Sequence, residues 1–94
     1  GQGAQHPALF TDRLRAEQVH WINGRPQQQA FDCHAKNRYR QADQACSVSV
    51  ADDGGCTVAF AEPQRAVTPG QSVVFYNGEE CLGGGIISRA WRDQ

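Results

Sequence analysis

The chain of 94 residues is long enough for one domain and too short for two. Its formal net charge of -1 gives no overall support for nucleic-acid binding, which would have to rest on how the charges are distributed. No apolar stretch approaches the length of a membrane span, and the N-terminus has no signal-peptide pattern, so we expect a soluble, cytoplasmic protein. The chain contains no methionine, which indicates a fragment of a longer protein or a processed chain.

Short β-strands separated by turn residues follow one another along the chain. Residues 1–13 show no periodicity and contain Pro7, so we expect an N-terminal linker there. Beyond it, apolar and polar residues alternate with period two, the pattern of strands that have one buried face. The predicted strands are residues 14–22, 30–36, 45–51, 56–60, 72–76 and 86–91.

These strands predict an all-β domain over residues 14–94. Their short length and near-regular spacing favour a small closed or partly closed antiparallel β-barrel of about six strands over an open sheet, because closure removes exposed edges. No segment shows a convincing helical period. We expect the isolated chain to be a monomer.

Turn residues predict where the strands end. The pair Asn23-Gly24 is a strong hairpin signal, and Asn77-Gly78 repeats it later in the chain. Asp52-Asp53-Gly54-Gly55, Pro63 and Pro69-Gly70 mark further breaks. The three glycines at 83–85 suit a sharp barrel bend or a close backbone approach. A phosphate-binding loop is disfavoured because the strand-like Ile86-Ile87 follows instead of a helix.

The four cysteines match no zinc or redox motif, since none forms a C-x-x-C pair. Each lies in or beside a predicted strand, so we interpret them as small, mostly buried residues that stay free thiols in the cell. They are Cys33, Cys46, Cys56 and Cys81.

Several other side chains have structural interpretations. His20 and His34 fall on the opposite parity from the apolar residues of their strands, with no nucleophile placed beside them. Glu79 and Glu80 are adjacent, so in a strand they would face opposite ways rather than act as a catalytic pair. The larger aromatic residues are interpreted as core or barrel-end packing: Trp21, Phe60, Phe75 and Trp91.

A local basic row is the candidate binding feature. Lys36, Arg38 and Arg40 are spaced by two, so in a continued strand they would project to one side, with Tyr39 on the other. Three cations in a row can follow a sugar-phosphate backbone, and a tyrosine can stack on an unpaired base. The alternative is a solvated strand face whose charges protect a sheet edge.

Two segments resemble the C-terminal barrel of bacterial tRNA-specific 2-thiouridylases. Residues 66–87, AVTPGQSVVFYNGEECLGGGII, are similar to the terminal signature of that family, and this long match is specific. Residues 36–41, KNRYRQ, resemble its K-x-R-Y-R-Q segment, and residues 19–21, VHW, its first barrel strand. The resemblance runs from about residue 3 to residue 87 and implies a barrel of the translation-factor type.

The family adenylates the wobble uridine of certain tRNAs with ATP and then delivers sulfur from a persulfide. That chemistry belongs to an N-terminal domain with an S-G-G-x-D-S loop and two catalytic cysteines, none of which this chain contains. The resemblance therefore implies no catalytic, cofactor-binding or metal-binding residue here. ATP would serve the full-length parent, whose partners would be a tRNA anticodon arm and a sulfur-relay donor protein.

Three functions remain open for the chain itself. The first is an accessory domain that helps to seat the tRNA anticodon arm, with tentative RNA contacts at Lys36, Arg38, Tyr39 and Arg40. The second is a bracing domain that contacts only the parent's own catalytic domain. The third, a small enzyme or sulfur carrier using Cys81, is weakest because no histidine or helix start lies near Cys81 in sequence to lower its pKa.

Overall fold

The computed structural model describes residues 10–37, 43–65 and 67–92, and it confirms the all-β class. Six strands account for nearly all the regular structure of these residues, in agreement with the predicted number. Their bounds are β1 Phe10–Trp21, β2 Ala30–Lys36, β3 Gln44–Val50, β4 Cys56–Arg65, β5 Ser72–Asn77 and β6 Glu80–Trp91.

The strands form a closed antiparallel barrel in the order β1-β4-β3-β2-β5-β6, with β6 returning to pair with β1. The β2–β3, β3–β4 and β5–β6 neighbours are sequential hairpins. The contacts of β1 with β4 and of β2 with β5 join strands that are distant in sequence. Closure of the sheet is therefore confirmed.

The barrel interior is filled by the apolar residues that the alternation predicted. In β3, Cys46, Val48 and Val50 are buried while Ser47 and Ser49 are exposed. The fully buried side chains are Phe75, Leu14, Ile87, Val48, Val58, Val73 and Cys56. Burial of each large apolar side chain contributes about 1.5–3 kcal/mol, so this interior is the main source of stability.

The aromatic residues pack as expected. Phe60 and Phe75 are buried, and Trp21 stacks on Phe75 with ring centroids 5.5 Å apart. Trp91 is half-buried, with the Arg89 guanidinium 4.7 Å from its ring centroid. Both histidines of the described barrel, His20 and His34, have exposed side chains.

Asn23-Gly24 forms a turn, but the predicted hairpin is wrong, because β1 and β2 do not pair. Gly24 has a φ of +88° and its N–H donates to the Trp21 carbonyl at 3.2 Å. Both edges of β1 pair with β4 and β6, so β2 cannot pair with it. The chain instead crosses the end of the barrel and enters β2 between β3 and β5. A turn motif sets the local backbone, but the neighbour of each strand depends on which edges remain open.

Several strand boundaries also differ from the prediction, most of all the start of β6, which is Glu80 rather than residue 86 because the glycines at 83–85 pair with β1 and β5. β1 begins at Phe10 rather than at residue 14, because its start pairs with the end of β4 through Thr11 and Gln64. β4 continues through Pro63 to Arg65. The β1–β4 register shifts beside Pro63, and a proline without an N–H is tolerated where the ladder is interrupted. Residues 1–9 lie outside the described part of the chain, so the linker remains a prediction.

The glycines at 83–85 lie inside β6, where the backbones of both neighbouring strands come unusually close. A Cβ atom at Gly84 would lie 2.5 Å from the Val73 carbonyl oxygen of β5. A Cβ at Gly83 would collide with the His20 carbonyl oxygen of β1, and Gly83 also has a φ of +154°. The close-approach interpretation of this triplet is confirmed.

Strand β1 bends where it faces the glycines. Its register with β6 shifts between Glu17 and His20, and Gln18 between them has a φ of +53°. A Cβ at Gly85 would lie 2.9 Å from the Glu17 carbonyl oxygen. The bulge in β1 therefore lies directly opposite the glycines of β6.

The four cysteines are free thiols, and Cys33, Cys46 and Cys56 are buried. This agrees with their interpretation as small interior residues, while their state in the cell remains a prediction. Across residues 10–37, 43–65 and 67–92, no helix is long and apolar enough to cross a membrane.

Substitution of Gly83 should weaken the barrel far more than substitution of another glycine with a left-handed backbone. We expect Gly83→Ala to lower the free energy of unfolding by about 3 kcal/mol or more, because the new Cβ meets the β1 backbone. Gly78→Ala is the matched control, since Gly78 has a φ of +64° but nothing within 4 Å of a Cβ, and it should cost only about 1–2 kcal/mol. If the two variants lose the same free energy of unfolding, as measured by urea denaturation, the close contact at Gly83 is contradicted.

Candidate nucleic-acid interface

Strand β2 presents its polar side chains on the outer surface of the barrel beside β5. His34 pairs with Tyr76 across the two strands, and Lys36 pairs with Val74, so Lys36 and Tyr76 are diagonal neighbours. The Lys36 ammonium lies 5.4 Å from the centroid of the Tyr76 ring. Both side chains are half-buried, which leaves a cation and an aromatic ring accessible at the same place.

This pairing combines the two interactions that proteins use for single-stranded RNA, namely an attractive charge for phosphate and a ring on which a base can stack. The ammonium already interacts with the ring, which limits its freedom to reach other groups. A phosphate close to this edge would add a second favourable contact for the same cation. The pair is therefore a chemically suitable edge for a nucleic-acid backbone.

Of the four predicted RNA-binding residues, the structure places only Lys36. Strand β2 ends there, and Arg38, Tyr39 and Arg40 belong to a stretch, residues 38–42, that the structure does not describe. Their proposed alignment in one row therefore remains a prediction. The neighbour of Lys36 is Tyr76, which sequence reasoning missed because nothing in the chain indicates that β2 pairs with β5.

The described arginines are occupied by contacts inside the barrel. Arg15 donates to an Asp53 carboxylate oxygen at 2.7 Å, and that hydrogen bond raises the pKa of Arg15. Arg25 donates to the Ala51 carbonyl at 2.8 Å. Arg89 covers the Trp91 ring. These three side chains contribute to the structure of the barrel itself.

The carboxylate of Asp53 is held from two sides. The backbone N–H of Gly55 donates to it at 2.9 Å, and this bond, with that from Arg15, lowers the pKa of Asp53. The contact links β1 to the turn between β3 and β4. Arg15 on β1 therefore stabilises the barrel through this contact.

A cleft of about 540 Å³ lies at the barrel end beneath the connection between β1 and β2. Its apolar wall is formed by Trp21, Phe31 and Leu82, and the Trp21 and Phe31 rings meet edge to face with centroids 6.0 Å apart. Polar side chains surround this wall, including Asn23 and Asn77. An aromatic wall with amide groups at its rim suits a flat, hydrogen-bonding ligand such as a nucleobase.

The acidic residues near this cleft make it a poor site for phosphate. Asp32 lines it, and the Glu80 carboxylate accepts a hydrogen bond from Asn23 at 3.4 Å. Arg25 also lines the cleft but donates to the Ala51 carbonyl. The cleft and the Lys36–Tyr76 edge are thus chemically distinct, one suited to a base and the other to a backbone.

The chain does not contain the loop that the resemblance assigns to ATP binding. No S-G-G-x-D-S segment occurs in it, and the glycines at 83–85 form part of a strand paired on both edges. Among the described residues, no three histidine, cysteine or acidic side chains are grouped as a metal site would require. Cys81 and His20 line the same shallow depression of about 340 Å³, a proximity that the sequence alone does not indicate.

Comparison with known proteins places this barrel in one family. The model of the aminomethyltransferase β-barrel domain matches residues 11–87. A tRNA-specific 2-thiouridylase of Marinobacter nauticus is 59% identical over 92 residues, which are 98% of this chain and 23% of that protein. The 2-thiouridylases of Hahella chejuensis and Enterococcus faecalis are 56% and 55% identical, over 97% and 100% of this chain and 25% of each relative.

The chain thus spans about a quarter of the length of the curated relatives that it matches. The region matched by the family model contains most of each of the six strands, from Thr11 in β1 to Ile87 in β6, with the glycine triplet and the Lys36–Tyr76 pair. The sequence resemblance is therefore confirmed, and the chain belongs to the family of tRNA-specific 2-thiouridylases as their C-terminal β-barrel domain.

Proposed function

We propose that this barrel helps to hold the tRNA anticodon arm for an enzyme that adenylates the wobble uridine with ATP and replaces its 2-oxygen with persulfide sulfur. The observation that carries the proposal is the high identity to proteins named tRNA-specific 2-thiouridylases over almost the whole chain. The barrel's own part is to bind and orient RNA. Adenylation and sulfur transfer would take place in the parent's catalytic domain, in the cytoplasm.

The charge distribution supports RNA contact at one edge of the barrel. The described arginines Arg15, Arg25 and Arg89 have internal partners, whereas Lys36 lies at the end of β2 immediately before Arg38 and Arg40 in the chain. Phosphates would bind this basic segment, and an unpaired base would stack on Tyr39 or Tyr76. Such contacts position an RNA without reading its sequence.

Binding the anticodon arm and the catalytic domain together would raise the effective concentration of the wobble base at the active site. It would also help to exclude water from the activated uridine, which hydrolysis would otherwise consume. The sulfur-relay donor would approach the catalytic domain rather than the barrel. These roles require no reactive group on the barrel.

The alternative is a bracing domain that contacts only the rest of the parent. A specific observation favours it: Ile22 and Ile86 are exposed by 55% and 39%, and both line the depression above the glycines of β6. An apolar surface of this kind suits a protein contact better than a phosphate backbone. The two functions can coexist, because the exposed isoleucines and the Lys36–Tyr76 pair are different residues, and the two surfaces adjoin only at Val74, which lines the depression and pairs with Lys36.

Loss of the basic side chains should weaken RNA binding without weakening the fold. We expect Arg38→Ala with Arg40→Ala to raise the Kd of the full-length enzyme for tRNA and to reduce the salt dependence of binding by about one unit of slope per lost phosphate contact. The melting temperature should change little, because exposed ion pairs contribute about 0–1 kcal/mol. Fluorescence anisotropy at several salt concentrations, with thermal unfolding in parallel, measures both effects.

The matched control is Arg89→Ala with Arg92→Ala, which removes the same charge from the end of β6. This variant should retain tRNA affinity and its salt dependence. A double variant at positions 38 and 40 that melts much lower, yet binds tRNA normally where folded, would show that the arginines are structural. Unchanged binding and unchanged melting would favour the bracing function.

The isolated chain should neither hydrolyse ATP nor introduce sulfur into tRNA. The expected result follows from the missing S-G-G-x-D-S loop and catalytic cysteine pair. Incubation of the purified 94-residue chain with tRNA, ATP and a persulfide donor, followed by mass analysis of the nucleosides, checks it. The full-length enzyme is the positive control, and 2-thiouridine formed by the chain alone would refute the expectation.

A further inference from the structure

Two cysteines of the barrel interior face each other across neighbouring strands. Cys33 of β2 and Cys46 of β3 are directly paired in the antiparallel register, and their Sγ atoms lie 3.8 Å apart. Both side chains are largely buried, with 7% and 6% of their surface exposed. Neither residue has a part in the proposed RNA contacts, so this pair is an independent feature of the barrel.

The backbone at this pair is already suited to a covalent bridge. Directly opposed residues in antiparallel strands have Cα atoms about 4.5–5.5 Å apart, which falls within the range of about 4.4–6.8 Å found for disulfides. The sulfur atoms must approach from 3.8 Å to about 2.05 Å, a change that side-chain rotation can supply. Oxidation would therefore not require the strands to move apart or slip.

The two cysteines lie at a surface depression of the barrel. Cys33 and Cys46 both line a surface cavity of about 430 Å³, together with His34 and Asn77. The cavity spans β2, β3 and β4, with Ser47 and Ala59 also in its lining, and a small reagent would approach the pair from it. Cys56, by contrast, is fully buried and does not line this cavity.

The two thiols differ in reactivity because they share a hydrogen bond. Either sulfur can be the donor of this hydrogen bond, and when the Cys46 thiol donates, the bond stabilises a thiolate at Cys33 and lowers the pKa of Cys33. The same bond, together with burial, raises the pKa of Cys46, and burial raises the pKa of Cys56 to about 11. Since the thiolate is the nucleophile in disulfide exchange, Cys33 is the attacking residue and Cys46 the resolving one.

We propose that Cys33 and Cys46 form an oxidative modification site, which low-molecular-weight disulfides of the glutathione type convert reversibly into a cross-strand disulfide. The Cys33 thiolate attacks one sulfur of the small disulfide, whose S–S bond breaks and releases a thiolate that takes up a proton. Cys46 then loses its proton, attacks Sγ of Cys33 and displaces the second small thiol. The two protein thiols are oxidised by two electrons, and one small disulfide is reduced to two thiols.

The bridge would lie at the base of the connection that carries the basic segment. Cys33 and Cys46 are 13 positions apart, and residues 36–41 fall between them in the chain. A disulfide here joins the two strands from which that connection departs. Excess small thiol would reverse the reaction, so the modification would respond to the thiol-disulfide ratio around the protein.

Mass analysis of the unmodified 94-residue chain tests the site directly. The reduced protein is incubated with glutathione disulfide, quenched with acid, alkylated and digested with trypsin, which cleaves at Lys36, Arg38 and Arg40 between the two cysteines. We expect two thiols to be lost and the Cys33 peptide to become linked to the peptide of residues 41–65. That peptide also contains Cys56, so fragmentation must assign the bridge to Cys46.

Substitutions then separate the attacking role of Cys33 from the resolving role of Cys46. Cys46→Ser should stop the reaction at a glutathione adduct on Cys33, whereas Cys33→Ser should abolish the bridge. Cys56→Ser and Cys81→Ser are the controls and should form it normally. The oxidised wild-type chain should melt roughly 5–15 °C higher than the reduced chain, and dithiothreitol should restore the lower value.

Several outcomes would overturn the proposal. The first is a chain that keeps four free thiols at glutathione disulfide concentrations that modify an unstructured cysteine peptide. The second is modification confined to Cys81. The third is a bridge that involves Cys56, or one that appears only after the barrel has been unfolded. Because the decisive measurement uses the wild-type chain, none of these results depends on whether a variant folds.

Discussion

The close contact of β6 with both of its neighbours is the constraint on which the barrel depends. β6 pairs with β5 on one edge and with β1 on the other, and this second pairing closes the sheet. At Gly83 and Gly84 the neighbouring carbonyl oxygens occupy the space that a Cβ atom would need. Glycine is the residue that permits two backbones to approach so closely on each side of one strand.

Closure in turn determines what the barrel can present to a partner. Apolar side chains from all six strands fill the interior, and polar ones are directed outward. Arg15, Arg25 and Arg89 then contact Asp53, a backbone carbonyl and an aromatic ring of the barrel itself. These three described cations are therefore engaged by the barrel itself.

The same closure brings residues together that are remote in sequence. Tyr76 reaches Lys36 only because β2 and β5 are neighbours, and Trp21 stacks on Phe75 only because β1 and β5 flank β6. The outer edge and the barrel-end cleft are both products of these long-range pairings. The proposed RNA contact at the edge and the suitability of the cleft for a flat ligand both follow from these pairings.

Period-two alternation and turn residues were sufficient to predict the class, the strand number and most of the interior. Cys46, Val48 and Val50 lie inward between exposed serines, as the period-two alternation requires of a strand that buries one face. The long similarity over residues 66–87 was sufficient to indicate the family. Local sequence carries this information because side-chain direction in a strand depends only on position parity.

The hairpin signal Asn77-Gly78 correctly predicted that β5 and β6 pair, but the other strand partners were decided by the tertiary structure. Asn23-Gly24 forms a turn, yet β1 and β2 do not pair, since both edges of β1 are taken by β4 and β6. The Lys36–Tyr76 and Cys33–Cys46 contacts likewise depend on which strands are neighbours and on their exact register. Parity determines which face a residue occupies, but only closure of the whole sheet determines which residue it meets there.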